Sequence, residues 1–304
     1  MPYHSVVCVK QVPDTANISA EAMKEDGTVN RAALPTIFNP EDLHALEAAL
    51  EIRDLHGGTV TAISMGPPKA GDVLRDCLFR GADRAILITD RRAAASDTLA
   101  TSYILSQAIK TIGQVDFVFC GRQAIDGDTA QVGPQCAEKL GVPQITYLEQ
   151  IISVEGRTAR LRRNTGRGWE IVEVQLPVLV TVIETANRPR YPAAKRIMRL
   201  KHARVPSELP GEVKAAMPQA SDAEIEAEVA RRTADLKARG LLLEQWNLDD
   251  IGADLSRCGM AGSPTKVYRI QAIVLKKEGY TSVPATEQGI RQLIHELVVD
   301  RTLG

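Results

Sequence analysis

The chain has 304 residues, 44% hydrophobic and 25% charged, with a formal net charge of −1. That is core enough for one large domain with appendages, or for two domains, in an ordinary soluble protein. The balanced charge gives no reason to expect nucleic acid or an anionic membrane as a partner, and 4% aromatic content is thin for base stacking. No apolar run approaches the roughly 18 residues of a membrane span. The five cysteines, at 8, 77, 120, 136 and 258, form no C-x-x-C pair and have no histidine at ligand spacing. No metal site is expected, and the thiols read as reduced packing residues of a cytoplasmic protein. The chain enters a strand almost at once, with no basic-then-apolar signal segment. The histidines, at 4, 44, 56, 202 and 295, are scattered and read as surface residues.

Up to about residue 150 the pattern alternates strand and helix. Residues 4–10 read as a strand, followed by a long loop over 11–38 that carries Pro13, Asp14, Gly27 and Asn30. A loop of that length inside a compact domain is usually functional. Asn39-Pro40-Glu41-Asp42 then opens a helix, with Asn39 as cap, Pro40 in the first turn and two acids on the positive end of the dipole. Leu43, Leu46 and Leu50 mark its apolar face, and Gly57-Gly58 ends it. A strand over 59–65, a helix over 70–80, a short strand over 85–88 and a helix over 96–112 follow. Residues 115–120 form a further apolar strand, and 129–140 a further helix. Strands written as solid apolar runs between amphipathic helices predict a doubly wound, mostly parallel α/β sheet. Ligands of such sheets sit beyond the carboxyl ends of the strands. The loops after Val9, Met65 and Cys120 and the helix start at Asn39 are expected on that side.

The join over residues 121–134, Gly-Arg-Gln-Ala-Ile-Asp-Gly-Asp-Thr-Ala-Gln-Val-Gly-Pro, is the richest in chemistry. Gly127 permits a tight path, Asp128 is a good N-cap, and Thr129, Ala130 and Gly133 are small enough to admit a ligand. Free amides at a helix start suit a phosphate. An ordinary capped turn has the same ingredients, and both readings stand on physics alone. Neither G-x-G-x-x-G nor G-x-x-x-x-G-K-[ST] occurs in the chain, which disfavours a Rossmann dehydrogenase or a P-loop nucleotidase.

After about residue 145 the texture changes. Strands are expected over 145–153, 158–163 and 169–175, the last two joined by a hairpin turn at 164–168, with one more apolar strand over 177–183. The sheet is expected to gain antiparallel members here. Residues 188–204 hold seven cations and no acid, either a solvated surface or a docking surface for an acidic partner. A linker punctuated by Pro206, Pro210 and Pro218 follows, then a helix from the capping box at Ser221 and Glu224, closed by Gly240. The last stretch, with a helix near 287–299, reads as an arm too small for its own core. The organisation is a nucleotide-binding α/β domain over 1–204, then linker, helix and arm over 205–304.

The chain resembles the electron transfer flavoprotein beta-subunit family. The likeness rests on Cys8-Val9-Lys10-Gln11-Val12-Pro13-Asp14, Asn39-Pro40, Ser64-Met65-Gly66-Pro67, Arg80-Gly81-Ala82-Asp83, the 121–133 loop, the run from Val174 to Thr181, and Asn187-Arg188-Pro189-Arg190-Tyr191. The resemblance implies an adenine-nucleotide alpha-hydrolase-like fold and a heterodimer with an FAD-carrying alpha subunit, onto which the arm packs. It implies a nucleotide pocket holding structural AMP in conventional members and a second FAD in electron-bifurcating ones. Carried over by position, the pocket comprises Cys8, Asn39, Pro40, Glu41, Asp42, Met65, Gln123, Ala124, Ile125, Asp126, Gly127, Asp128, Thr129, Ala130, Gln131, Val132, Gly133 and Pro134. The small residues after Asp126, and a tail running from Asp254 through Arg257-Cys258-Gly259-Met260-Ala261-Gly262-Ser263-Pro264-Thr265-Lys266-Val267, look like the bifurcating type. That type implies FAD in this chain, NADH as donor, a flavin-dependent dehydrogenase as partner, and ferredoxin or flavodoxin as low-potential acceptor. No catalytic acid, base or nucleophile is expected, because the chemistry belongs to the cofactor. The alternatives are a conventional subunit with AMP and a stand-alone adenine-nucleotide module, the latter disfavoured by the late strands and the arm. The family's dehydrogenase-anchoring leucine is replaced here by Ala194.

Overall fold

A computed structural model describes residues 1–14, 35–265 and 282–299. Gly27 and Asn30 of the long loop, and Lys266 and Val267 of the tail, lie outside the described residues. The elements in chain order are β1 (Tyr3–Cys8), β2 (Gln11–Pro13), β3 (Thr36–Phe38), α1 (Pro40–His56), β4 (Gly58–Met65), α2 (Gly71–Arg80), β5 (Arg84–Ile88), α3 (Thr98–Ile112), β6 (Phe117–Gly121) and α4 (Val132–Leu140). There follow β7 (Gln144–Glu155), β8 (Thr158–Asn164), β9 (Trp169–Gln175), β10 (Val178–Val182), α5 (Ala194–Leu200), α6 (Leu209–Ala216), α7 (Asp222–Ala238), β11 (Glu244–Trp246) and α8 (Glu287–Val299). β2 and β3 form a small antiparallel ribbon at the base of the long loop.

Nine strands make one sheet in the order β11-β5-β4-β1-β6-β10-β7-β8-β9. Period-two alternation buries both faces. Val7 joins Leu46, Leu50 and Leu74 under α1 and α2, while Val6 and Cys8 join Ile104, Ile109 and Cys136 under α3 and α4. The doubly wound, mostly parallel sheet expected from the sequence is present. The late strands differ in one respect. β8 and β9 are antiparallel as expected, but β10 returns to the middle and runs parallel between β6 and β7. All five of its residues, Val-Leu-Val-Thr-Val, are buried, because α1 packs on one face of the strand and α4 on the other. β8 and β9 alternate charged and apolar residues and take the edge.

The stretch after residue 204 is more structured than a linker. Val205, Leu209 and Val213 are buried, α6 packs on α7, and Ser221 and Glu224 form the expected capping box. Too short to show in the sequence pattern, β11 extends the sheet beside β5, where Arg84 grips Glu244 through two 2.6 Å contacts.

Candidate functional site

β1 sits at the topological switch. The chain leaves it towards β4 and β5 on one side, then returns to β6 on the other. Cys8 and Cys120 are register partners across this junction. Beyond the carboxyl ends of these strands lies a cleft of about 380 Å³. Its lining includes Cys8, Val9 and Lys10 after β1, Met65 after β4, and Cys120, Gly121 and Arg122 after β6. The loop contributes Gln123, Ala124, Gly127 and Thr129, with Ala130, Gln131, Val132 and Gly133 at the start of α4. A cleft at this point follows from the opposing helix connections on either side of the switch.

The beginning of α1 braces the cleft from behind. Asp42 is buried, and its two oxygens accept the Lys10 amide at 2.8 Å and the Gly121 amide at 3.0 Å, tying β1 to β6. Burial pushes its carboxyl up to about 7, against hydrogen bonds from Asn39, Lys10 and Gly121 that favour the charge. Glu41 accepts the Gln123 amide at 2.9 Å and pairs with Arg122 at 2.6 Å. Asn39 precedes α1 but makes no side-chain cap. Its amide instead donates to the Gln123 carbonyl at 2.9 Å and accepts from the Ile125 amide at 3.1 Å. The fully buried side chain is worth more clamping the distant loop than capping a helix that already has Pro40 in its first turn. Asp126 accepts from Lys10 Nζ at 2.7 and 2.9 Å, and Asp128 from Gln123 Nε2 at 2.9 Å. Asn39, Pro40, Glu41, Ile125, Asp126, Asp128 and Pro134 thus stand behind or beside the cleft wall and do not form it.

The loop departs from the expected geometry. α4 begins at Val132, not 129, and Asp128 does not cap it. Asp128 (φ 49°) and Ala130 (φ 52°) are left-handed, whereas Gly127 is not. Two left-handed residues with side chains keep these positions out of the helix, which starts only after them. Left-handed geometry costs a non-glycine residue about 1–2 kcal/mol, and such strain gathers where function fixes the backbone. Val132 and Gly133 open α4 in the cleft wall with no side-chain cap, and the first amides of a helix have no partner within it. Gly133 is required by packing, since a Cβ there would lie 2.8 Å from Thr181 Cγ2.

Sequence reasoning missed one wall. Ser96, Asp97, Thr98, Thr101 and Leu105, from the β5–α3 turn and the first turns of α3, also line the cleft. The signal was present: Asp97 caps α3 through the Ala100 amide at 3.0 Å, and this turn follows a strand at the same sheet end as the others. Thr98 Oγ1 donates to Gln131 Oε1 at 2.9 Å. Among the lining residues, Arg122 has a buried Nε with no partner among the described residues. The Arg122 guanidinium lies 5.9 Å from the Tyr147 ring centroid.

The comparisons agree with this architecture. Residues 26–230 match the model of the electron transfer flavoprotein domain. The electron transfer flavoprotein subunit beta of Clostridium acetobutylicum is 42% identical over 274 residues, covering 90% of each chain. Protein FixA of Azorhizobium caulinodans is 41% identical over 291 residues, 93% of this chain and 89% of the relative. The caffeyl-CoA reductase-Etf complex subunit CarD of Acetobacterium woodii is 40% identical over 265 residues, 87% and 86% of the two chains. This chain belongs to the electron transfer flavoprotein beta-subunit family. Its role lies in electron transfer.

The rest of the beta subunit's surface sorts quickly. Of the basic run, Arg190 pairs with Glu47 and Asp54, Arg196 donates to the Leu78 and Ala82 carbonyls, and Arg204 pairs with Glu212. Arg188, Lys195, Arg199 and Lys201 remain exposed beside the exposed Tyr191 and Met198. His4 and His44 are half-buried and hydrogen-bonded rather than free on the surface. The cysteines are all buried free thiols, and burial pushes the Cys77 thiol up. Among the described residues no group of three or more His, Cys, Asp or Glu is arranged for a metal ion, and no helix is long and apolar enough to cross a membrane.

Proposed function

We propose that this beta subunit holds the adenosine-phosphate part of an FAD in the β1–β6 cleft. Together with an alpha subunit it passes electrons from NADH to a flavin-dependent dehydrogenase and a low-potential acceptor such as ferredoxin or flavodoxin. The observation that carries this reading is the uncapped start of α4 in the cleft wall, directly after the left-handed residues Asp128 and Ala130. The residues fit the group. A volume of about 380 Å³ falls within the range of small-molecule sites. The amides of Val132 and Gly133 suit a phosphate, Cys8, Met65 and Leu105 offer apolar contact to a base, and Thr98, Thr101 and Gln131 offer hydroxyl and amide partners to a ribose. Arg122 lines the cleft with a buried Nε to satisfy, and would be available to a second phosphate. When bound, the flavin supplies hydride acceptance and one-electron transfer. The chain's own part is to bind, orient and shield.

The size of the cleft also suits AMP alone, the conventional arrangement, in which the nucleotide braces the fold. The last helix of the C-terminal arm, α8, with Ile290, Leu293, Ile294 and Val298 exposed, packs on the alpha subunit in either case. The exposed cations of α5 and its neighbours, with Met198 and Tyr191, offer an acidic dehydrogenase its contact in place of the family's leucine, whose position holds Ala194. The decisive measurement is the nucleotide released on denaturing the purified heterodimer. Two flavins per heterodimer, reduced by NADH, support the proposal. One flavin with AMP establishes the conventional reading, and neither nucleotide overturns both.

A further inference from the structure

The β5–α3 wall of the cleft does not hold itself in place. Ala95 is left-handed at φ 59°, and the turn that follows, Ser96 to Thr98, is held by a segment more than 150 residues later in the chain. The Asp97 amide donates to Ser263 Oγ at 2.8 Å. Ser263 is only 4% exposed, and its hydroxyl donates to the Gly259 carbonyl at 2.7 Å. The Gly259 amide donates to Ser96 Oγ at 3.2 Å. The Asp97 carboxylate is divided: Oδ1 caps α3 through Ala100, and Oδ2 accepts the Thr265 amide at 3.1 Å.

The fit is close enough to need glycine. A Cβ at Gly259, itself at φ 55°, would collide with the Arg92 carbonyl, and one at Gly262 with the Arg257 backbone. Across the cleft, Thr98 reaches Gln131, the residue before α4. Contacts therefore run without a break from Ser263 through Asp97 and Thr98 to the amides that open α4.

We infer that Ser263 and Thr265 are positioning residues for the nucleotide site: the C-terminal segment sets the Asp97–Thr98 turn, and through Gln131 the start of α4, to receive an adenosine phosphate. This rests on the nucleotide reading above. Removing the Ser263 hydroxyl leaves the Asp97 amide without its acceptor, and the turn relaxes away from the ligand. Binding is reciprocal, so nucleotide in the cleft also steadies the C-terminal segment.

The test uses the full chain with its alpha subunit, stripped of nucleotide and titrated calorimetrically with AMP and with FAD. The titrations run at a temperature where circular dichroism shows every variant folded, so that a loss of stability alone leaves affinity unchanged. Ser263→Ala is expected to weaken nucleotide binding roughly five- to tenfold. Asp97→Asn keeps a good helix cap but offers one acceptor oxygen in place of two, and is expected to weaken it comparably. Met260→Ala, on the same loop but 69% exposed, is expected to bind as the wild type does. Wild-type affinity in Ser263→Ala and Asp97→Asn, or an equal loss in Met260→Ala, overturns the inference and leaves the nucleotide reading standing. A wild-type complex that takes up neither AMP nor FAD overturns both.

Discussion

The two ends of the central strands make an instructive pair. At the amino end, a hollow of about 680 Å³ opens between Tyr3, His4, Gly113, Asp116 and Arg157, larger than the 380 Å³ cleft at the carboxyl end. Its charges are already used: Asp116 pairs with Arg157 and accepts the His4 amide, and the His4 ring bonds Gln114 and Thr61. α1 and α3 finish there, so their negative dipole ends face it, while α1, α3 and α4 all begin at the other end. The backbone differs too. Around the amino-end hollow the left-handed residues are glycines, Gly58, Gly113 and Gly156. Around the cleft they are Ala95, Asp128 and Ala130, with Tyr147 beside Arg122. Volume therefore does not rank the two hollows for an anionic ligand. The sign of the helix field and the placing of strain differ between them, and both favour the smaller hollow.

The contrast is tested most severely at Gly121. A Cβ there would fall within contact distance of Asp42 Oδ1 and the α1 backbone, with no room for either to move. Gly121→Ala is expected to lower stability by about 1–3 kcal/mol and to abolish nucleotide binding together with the Asp42 clamp. Urea unfolding and calorimetry read the two effects. Unchanged stability would mean that the carboxyl ends of β1 and β6 are not locked as described.

Asp42 comes next in size. Its carboxyl titrates near 3.8 when unfolded and at about 7 when folded, because burial outweighs its hydrogen bonds. Between those values the native state holds a proton that the unfolded state has lost. Stability is therefore present in full below the unfolded value and falls as pH rises towards the folded one, by at most roughly 1.4 kcal/mol per pH unit. Above about 7 this contribution is gone. Asp42→Asn is expected to be less stable at low pH, since one of the two amides it serves faces a donor, but to show a shallower decline over that window. Equal slopes in the two proteins would show that Asp42 titrates normally.

Ala130 sharpens the point about strain. Ala130→Gly removes the left-handed penalty while adding chain freedom to the unfolded state, and the balance is a gain of up to about 1 kcal/mol in the nucleotide-free protein. The same change is expected to weaken nucleotide binding, because the backbone that lines the cleft just before α4 is no longer restricted. A variant that is less stable and binds as well would break the link between strain and site.

Much of this was legible in the chain. Solid apolar runs such as those of β1, β4 and β6 fixed the layered parallel sheet, and the small residues of the loop after Cys120 line one wall of the cleft. What failed was local chemistry overridden by distant partners. Asn39 has the composition of a cap, yet its side chain serves Gln123 and Ile125, more than 80 residues away. Asp128 also looks like a cap, but the pull of Gln123 and the left-handed step at Ala130 delay the helix to Val132. The Ser263–Asp97 contact joins positions 166 apart, and no periodicity announces it. β10 carried its burial in its sequence but not its place in the order, because an apolar run shows that both faces are covered but not which strands bond its two edges.

The amino-end hollow supplies the smallest effect and the cleanest control. Arg157 is half-exposed in its pair with Asp116. An exposed pair of this kind contributes about 0–1 kcal/mol. Arg157→Ala is therefore expected to shift the unfolding midpoint slightly, with the difference shrinking further as salt is raised. Nucleotide affinity should not move, because the cleft lies at the far end of the same strands and shares no residue with this hollow. A loss of nucleotide binding in Arg157→Ala, at constant stability, would place the ligand at the amino end and reverse the comparison on which the assignment of the site depends.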